Sequence, residues 1–273
     1  MDNKIVKRRG RPAKAQNVTY VPSIIDFSKV TKLSNLGVNA EMLKQMKSGL
    51  ILDELFSYEK GVPKATNIMV GGEAGVGKTT ILLDLISAIK IKNPSAKILF
   101  ISAEMGRKQM YKYTQRFPQF GNIDTLFTMD YLKYNTKDII EQILDKGYDV
   151  VLTDSIAEVI EGVRDDNNWD RKNTESWFVD VCVKNNSGEN KEGKYTTFIN
   201  IQQLTKSGEF AGSNRLKHLM DATAKLKRDK NQVTYITFEK NRNGMVGQRL
   251  DYTLTNNKII YGTIAVDNNE DDE

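Results

Sequence analysis

A glycine-rich run ending in lysine and threonine carries the strongest chemical signal in this chain: Gly71-Gly72-Glu73-Ala74-Gly75-Val76-Gly77-Lys78-Thr79-Thr80. Glycines let a backbone turn tightly and aim several N–H groups at one anion. A helix starting at the end of the run turns its positive end toward the same place. In a G-x-x-x-x-G-K-T pattern the lysine reaches the β- and γ-phosphates of a nucleoside triphosphate, and the next hydroxyl ligates Mg²⁺. Gly72, Glu73, Ala74, Gly75, Val76, Gly77, Lys78, Thr79 and Thr80 are therefore the expected nucleotide-binding residues, with ATP and Mg²⁺ as ligands. The competing reading, a glycine turn with a solvated lysine, leaves the context unexplained. An apolar strand precedes the run and a helix with an apolar face follows it, as a phosphate loop requires.

Two carboxylates are candidates for the remaining chemistry. Asp154 closes the stretch Asp149–Thr153. An aspartate at the C-terminal end of a strand faces the crevice where α/β proteins bind ligands. There it can hold a Mg²⁺-bound water. Glu104 closes the stretch Lys97–Ala103. A carboxylate in that place can polarise an attacking water as a general base. The alternative is a glutamate at a helix start, stabilised by the helix dipole.

These groups meet only if strands and helices alternate. Strands are expected at Thr66–Val70, Lys97–Ala103, Ile123–Met129, Asp149–Thr153 and Thr196–Leu204. Helices are expected at Thr79–Ile91, Arg107–Arg116, Lys137–Lys146 and Thr174–Lys184, with a further helical stretch near Ala40–Lys47. Ile81, Leu82, Leu85 and Ile89 give the helix after the glycine run one apolar face. Beyond Val233, the segments Val233–Lys240, Arg249–Leu254 and Lys258–Ile264 read as strands joined by turns. The alternation implies an α/β fold, a mainly parallel twisted sheet with helices on both faces. The closing hairpins would extend it at one edge. The stretch Glu158–Tyr195 is polar and holds both tryptophans. Trp169, between Asn168 and Asp170, is placed to stack on a base; Trp177 reads as core.

Composition bounds the rest. The chain has 273 residues, 39% of them hydrophobic, enough for one sizeable core. Three parts are expected: a disordered basic arm over 1–22, one ATPase domain over 23–264 and an acidic tail over 265–273. The net charge of +5 is unevenly spread. Lys4, Lys7, Arg8, Arg9, Arg11 and Lys14 crowd the start, and Asp267, Glu270, Asp271, Asp272 and Glu273 the end. That distribution fits a polyanion partner; the bland alternative is solubility. Cys182 is the lone cysteine, so no internal disulfide or cysteine-based zinc site is expected. It fits a reducing compartment, hence a cytoplasmic location. No apolar run reaches about 18 residues and the N-terminus lacks an apolar h-region, so neither a membrane span nor a secretory signal is expected.

Several motifs in register give the sequence a resemblance to the RecA-like ATPases, most closely to the ATPase core of bacterial RadA, over about residues 45–260. Ser48-Gly49-Leu50-Ile51-Leu52-Asp53 resembles that family's T-G-x-x-x-L-D segment. Glu104 falls where RadA and the DnaB helicases place a catalytic glutamate. Gln203-Leu204-Thr205-Lys206-Ser207-Gly208, Ala211-Gly212 and Leu216–Asp221 are similar to the H-V-T-K-x-G, A-G and L-E-H-M-V-D series. Lys240-Asn241-Arg242-Asn243-Gly244 is similar to K-N-R-F-G. The chain departs from RadA in having no four-cysteine finger, in ending soon after the core, in Asn243 for phenylalanine and in Gln203 for histidine. The glutamine is closer to DnaB and RecA.

The resemblance implies a RecA-like P-loop fold and further roles. Gln203 would sense the γ-phosphate. The loop around Thr205–Asn214 would touch DNA through Lys206 and Arg215, with Phe210 able to stack on a base; the alternative is an ordinary surface turn. Lys240 and Arg242 would act in trans on a neighbour's ATP, which requires a homo-oligomeric ring such as a hexamer; the alternative is a solvated hairpin. Glu158–Tyr195 lies where RecA-like proteins place a first DNA loop. Separately, Arg9-Gly10-Arg11-Pro12 resembles an AT-hook, an extended arm suited to a narrow A·T minor groove. The implied function is a DNA-dependent ATPase of recombination, repair or replication, helicase-like or branch-migrating, acting on single-stranded or branched DNA. An ATP-gated DNA-binding or assembly factor with little turnover is the alternative.

Overall fold

The computed structural model describes residues 26–204, 208–210 and 213–267. Arg9, Gly10, Arg11, Lys206 and residues 268–273 of the acidic tail lie outside them, as does the side chain of Arg215. The chain divides into two compact units at Gly37/Val38. In the first, the described residues form two short 3-10 turns, Phe27–Lys29 and Leu33–Asn35. The second contains everything that follows.

Its centre is a nine-stranded sheet. The strands are β3 (Asn67–Gly72), β4 (Ile98–Ser102), β5 (Asp124–Phe127), β6 (Val150–Asp154), β7 (Thr197–Ile201), β8 (Ala222–Arg228), β9 (Thr234–Asn241), β10 (Gln248–Leu254) and β11 (Ile259–Val266). Their order is β11-β10-β9-β8-β3-β7-β6-β4-β5. Strands β8, β3, β7, β6, β4 and β5 run parallel, and β9, β10 and β11 add antiparallel at the β8 side. A separate pair, β1 (Gln45–Met46) and β2 (Val62–Pro63), brackets the short helix α1 (Asp53–Phe56). Buried Asp53 organises that turn by accepting from the N–H groups of Ser48 (3.0 Å) and Gly49 (2.8 Å) and from the Ser48 hydroxyl (2.7 Å).

Helices cover both faces of the parallel part. One face packs against α2 (Lys78–Lys92) and α3 (Arg107–Arg116). The other packs against α4 (Thr136–Leu144), α5 (Ile156–Asn167), α6 (Arg171–Asn186) and α7 (Asn214–Leu219). The central strands are buried along their length, as parallel strands covered on both sides must be. The expected α/β layout with C-terminal hairpins at one edge is therefore present.

Four expectations need correction. The stretch Ala40–Lys47 is a 3-10 turn (Ala40–Leu43) followed by β1, with no α-helix. Helix α2 is not apolar on one face alone: Leu83 and Ile86 are as buried as Ile81 and Leu82. Strands β10 and β11 reach over its outer side, where Tyr261 Oη donates to Asp84 Oδ2 (2.9 Å), and Tyr252 Oη donates to the Val76 carbonyl just ahead of the helix (2.6 Å). In the polar stretch 158–195 the expected helix at Thr174–Lys184 lies within α6, and the correction is the additional helix α5; together they bury Val159, Ile160, Val163, Phe178 and Cys182. Trp169 lies partly buried against this core, and Trp177 is 8% exposed, its Nε1–H donating to Glu141 Oε1 (2.7 Å). The fourth correction is an omission. Ala222–Arg228 is a strand, which the alternation of apolar Ala222, Ala224 and Leu226 with polar Thr223, Lys225 and Lys227 carries in plain sight.

Candidate active site

The glycine run leaves β3 at Gly72 and enters α2 at Lys78. At Gly72 φ is +154°, and a Cβ there would stand 2.4 Å from the Leu226 carbonyl oxygen. At Gly77, the cap of α2, φ is +97° and a Cβ would meet Leu254 at 2.3 Å. Gly72 therefore needs glycine for space as well as for backbone angle, and Gly77 for backbone angle, since the Leu254 side-chain end can move aside. Gly77 offers no side chain to cap the helix, so the first N–H groups of α2 face outward as anion donors.

The Lys78 ammonium folds back over the loop and donates to the carbonyls of Gly72 and Glu73, both at 2.9 Å. A phosphate oxygen can replace those carbonyls. Burial lowers the Lys78 pKa, partly countered by Asp154 and Glu104.

Thr79 and Asp154 meet directly. The Thr79 hydroxyl donates to Asp154 Oδ2 at 2.5 Å. Asp154 ends β6 and is 3% exposed. Burial, with Glu104 nearby, pushes its carboxyl up to about 6, although the Thr79 hydrogen bond and Lys78 pull the other way. A hydroxyl and a carboxylate at hydrogen-bond distance form a hard-oxygen pair that suits Mg²⁺. A buried carboxylate with too few cations around it fits such an ion on electrostatic grounds.

Glu104 follows β4 and is exposed. Its backbone is tied to the same strand end, since the Ala103 and Glu104 N–H groups donate to the Asp154 carbonyl at 2.7 and 3.2 Å. The pairing Ser102↔Asp154 places the two carboxylates at adjacent strand ends. Gln203 lies two residues beyond the end of β7, exposed and facing the same cleft. The cleft, about 1360 Å³, is lined by Gly72, Glu73, Ala74, Gly75, Gly77, Lys78, Thr79, Thr80, Glu104, Asp154 and Gln203 among others. The sequence-predicted groups from four separate stretches thus share one cavity.

Two do not. Asn241 pairs with Ala222, which in turn flanks Ile68, so Lys240 and Arg242 sit at the opposite end of β3 from the glycine run. From Asn67 to Gly72 is roughly 16 Å along the strand. The Lys240 ammonium donates to the Met220 carbonyl, and Arg242 Nη1 to Asp221 Oδ1 at 3.0 Å. Burial lowers the Lys240 pKa, and Arg242 adds to the effect. Phe210 is also not free to stack on a base: it is 7% exposed, pressed against Gly71.

The cleft has a wall that sequence reasoning missed. Lys225 on β8 is 8% exposed and pairs with Glu239 on β9 at 2.7 Å. Its ammonium lies 5.8 Å from the Phe210 ring centroid, and Lys227 stands 3.7 Å from the same Glu239. Arg249 on β10 stacks on Tyr235 at 4.3 Å. Recognising β8 from its alternation would have exposed the lysines as one row.

No family model matches the chain. Among curated proteins it is 27% identical over 165 residues to the DNA repair protein RadA of Campylobacter jejuni, covering 59% of this chain and 33% of that protein. It is 31% identical over 158 residues to the DNA repair protein RadA of Chlamydia muridarum, covering 56% and 31%. The chain spans about a third of the length of these relatives. Among solved structures it resembles the KaiC-like protein PH0186 of Pyrococcus horikoshii, with a TM-score of 0.60 at 16% identity, over 81% of this chain and 100% of that one. The fold is thus RecA-like, of the KaiC-like kind. No helix among the described residues is long and apolar enough to cross a membrane.

Proposed function

We propose that the chain is an ATP hydrolase whose turnover is coupled to DNA, acting in repair, recombination or replication. The carrying observation is the convergence on one cleft of the Gly72–Thr80 loop, the Thr79–Asp154 pair and Glu104. Loop N–H groups and Lys78 hold the phosphates. Thr79 and Asp154 hold Mg²⁺, which when bound neutralises phosphate charge. Glu104 orients and deprotonates water, and Gln203 contacts the terminal phosphate beside the 205–214 loop. The similarity to proteins named as DNA repair proteins supports the DNA link.

Lys240 and Arg242 stand too far from their own glycine run to serve it, so a role for them in hydrolysis needs a second copy of the chain. We infer a ring-like homo-oligomer, for instance a hexamer, in which Arg242 exchanges Asp221 for a neighbour's phosphate. The basic arm at Arg9-Gly10-Arg11 adds a salt-sensitive contact to A·T-rich duplex. Lys206 in the 205–214 loop and Arg215 at the start of α7 contribute DNA contacts.

Phosphate release with and without single-stranded DNA tests this reading. Turnover should rise with DNA. Unchanged turnover across DNA types would leave a nucleotide-gated binding factor as the better account.

A further inference from the structure

An exposed aromatic surface flanks the cleft and takes no part in the chemistry described above. Two segments at the C-terminal edge of the sheet build it. Helix α3 begins three residues after Glu104, and a 3-10 turn (Thr128–Tyr131) follows edge strand β5. Arg107 joins them: its Nε and Nη2 hold Asp130 Oδ2 at 2.8 and 2.6 Å, and its guanidinium lies 4.9 Å from the Phe127 ring centroid. Tyr131 and Tyr134 meet edge-on with centroids 6.0 Å apart. Tyr111 stands one turn beyond Arg107 on the same helical face.

These groups are left to water. Leu132 is 83% exposed, Tyr111 66%, Tyr134 62% and Tyr131 38%. Lys108, Lys112 and Lys133 interleave with them in sequence, are exposed, and make no ion pair among the described residues. A cluster of exposed rings marks an interaction surface. Its lysines decide the partner. Lysine is depleted from the centres of protein–protein interfaces, where an ammonium must give up its water. Rings that accept bases with cations that meet phosphates are the combination that holds a single strand.

We propose that this surface is a stacking platform for single-stranded nucleic acid, with bases on Tyr111, Tyr131 and Tyr134 and phosphates on Lys108, Lys112 and Lys133. The inference rests on the reading of the chain as a nucleic-acid-dependent ATPase and adds a contact site separate from the 205–214 loop. It also supplies a route for coupling. Helix α3 is continuous with the segment that carries Glu104, so a strand held on α3 bears on the residue that activates water.

The test is anisotropy of labelled oligo-dT and oligo-U on the full chain with a non-hydrolysable ATP analogue. The Tyr131→Ala/Tyr134→Ala pair should weaken binding at least about 10-fold, since each stacked base contributes strongly. The Tyr131→Phe/Tyr134→Phe pair keeps the rings and should bind as the parent does. Replacing Lys108, Lys112 and Lys133 by Gln should reduce the slope of log affinity against log salt by about 2. That slope is informative even if the alanine pair fails to fold. Parent-like affinity of a folded alanine pair, or an unchanged slope in the lysine variant, overturns the platform while leaving the ATPase reading intact. If the parent binds neither oligonucleotide, the nucleic-acid reading fails and the platform with it. A change in oligomeric mass with unchanged oligonucleotide affinity would assign the surface to contacts between copies, and the proposal falls.

Discussion

The Thr79 hydroxyl donates a 2.5 Å hydrogen bond to Asp154 Oδ2, joining the start of α2 to the end of β6. Seventy-five residues apart in sequence, the two become one hard-oxygen site. Asp154→Asn keeps the shape and removes the charge. It should weaken Mg²⁺ affinity about 10–100-fold, as loss of an outer ligand does, and cut Mg²⁺-dependent turnover accordingly. A Mg²⁺ titration of ATPase rate reads both; an unshifted midpoint would remove Asp154 from the metal site.

The same carboxylate makes stability depend on pH. Its pKa is raised in the folded state to about 6, against roughly 3.9 in the unfolded chain. The folded state therefore favours the proton. The stabilising contribution is fully present below pH ~4 and is lost as pH rises through about 6; the two-unit gap corresponds to on the order of 2–3 kcal/mol. Nucleotide-free protein should lose urea midpoint across this window for this reason, and Asp154→Asn should flatten that part of the curve. Equal slopes in parent and variant would contradict the assignment.

Glu104→Gln retains volume and hydrogen bonding but cannot take a proton. Turnover should fall by about 10²–10⁴, while binding of a fluorescent nucleotide persists. Turnover at the parental rate would return Glu104 to the role of a helix-start carboxylate.

Lys78→Ala and Arg242→Ala should each abolish most hydrolysis when alone, the arginine by as much as about 10³–10⁵ if it acts as a finger. Mixed, they should recover part of it. A copy with an intact glycine run and no finger would then sit beside a copy with the opposite defect. No recovery at any mixing ratio, with both variants oligomeric, rules out action in trans.

Trp177→Ala should cost about 3–5 kcal/mol, because it empties a core position. Chemical denaturation measures it. Trp169→Ala should leave oligonucleotide affinity unchanged, since its ring lies against the α4–α6 core.

Sequence alone was most informative where chemistry and local geometry coincide. Gly72 to Thr79 is a contiguous motif, and its flanking strand and helix are adjacent in sequence, so the candidate phosphate site needed no long-range information. Asp154 and Glu104 were legible because one ends an apolar strand and the other follows one by two residues, and parallel strands place such ends at one edge. Less was legible where burial overrides polarity. In the polar 158–195 stretch the part of α6 at Thr174–Lys184 was legible, but α5 was not, because its charged residues mask the apolar positions that pack on the second face of the sheet. Helix α2 looks one-sided until β10 and β11 close over it.

Residue types and spacing by themselves determined the candidate phosphate loop, the candidate pair of carboxylates and the alternation that brings them together. Tertiary structure decided which of the other candidates can reach them. It set Lys240 and Arg242 at the far end of β3, buried Phe210 against Gly71, and lined the cleft with Lys225 and Lys227. The reason is strand order. Strand β8 returns beside β3 in parallel and β9 runs back against it, so residues close to the loop in motif order lie at opposite ends of the sheet. The Thr79–Asp154 bond is the counterpart: distant in sequence, it forms because β3, β7 and β6 stand side by side with their ends level.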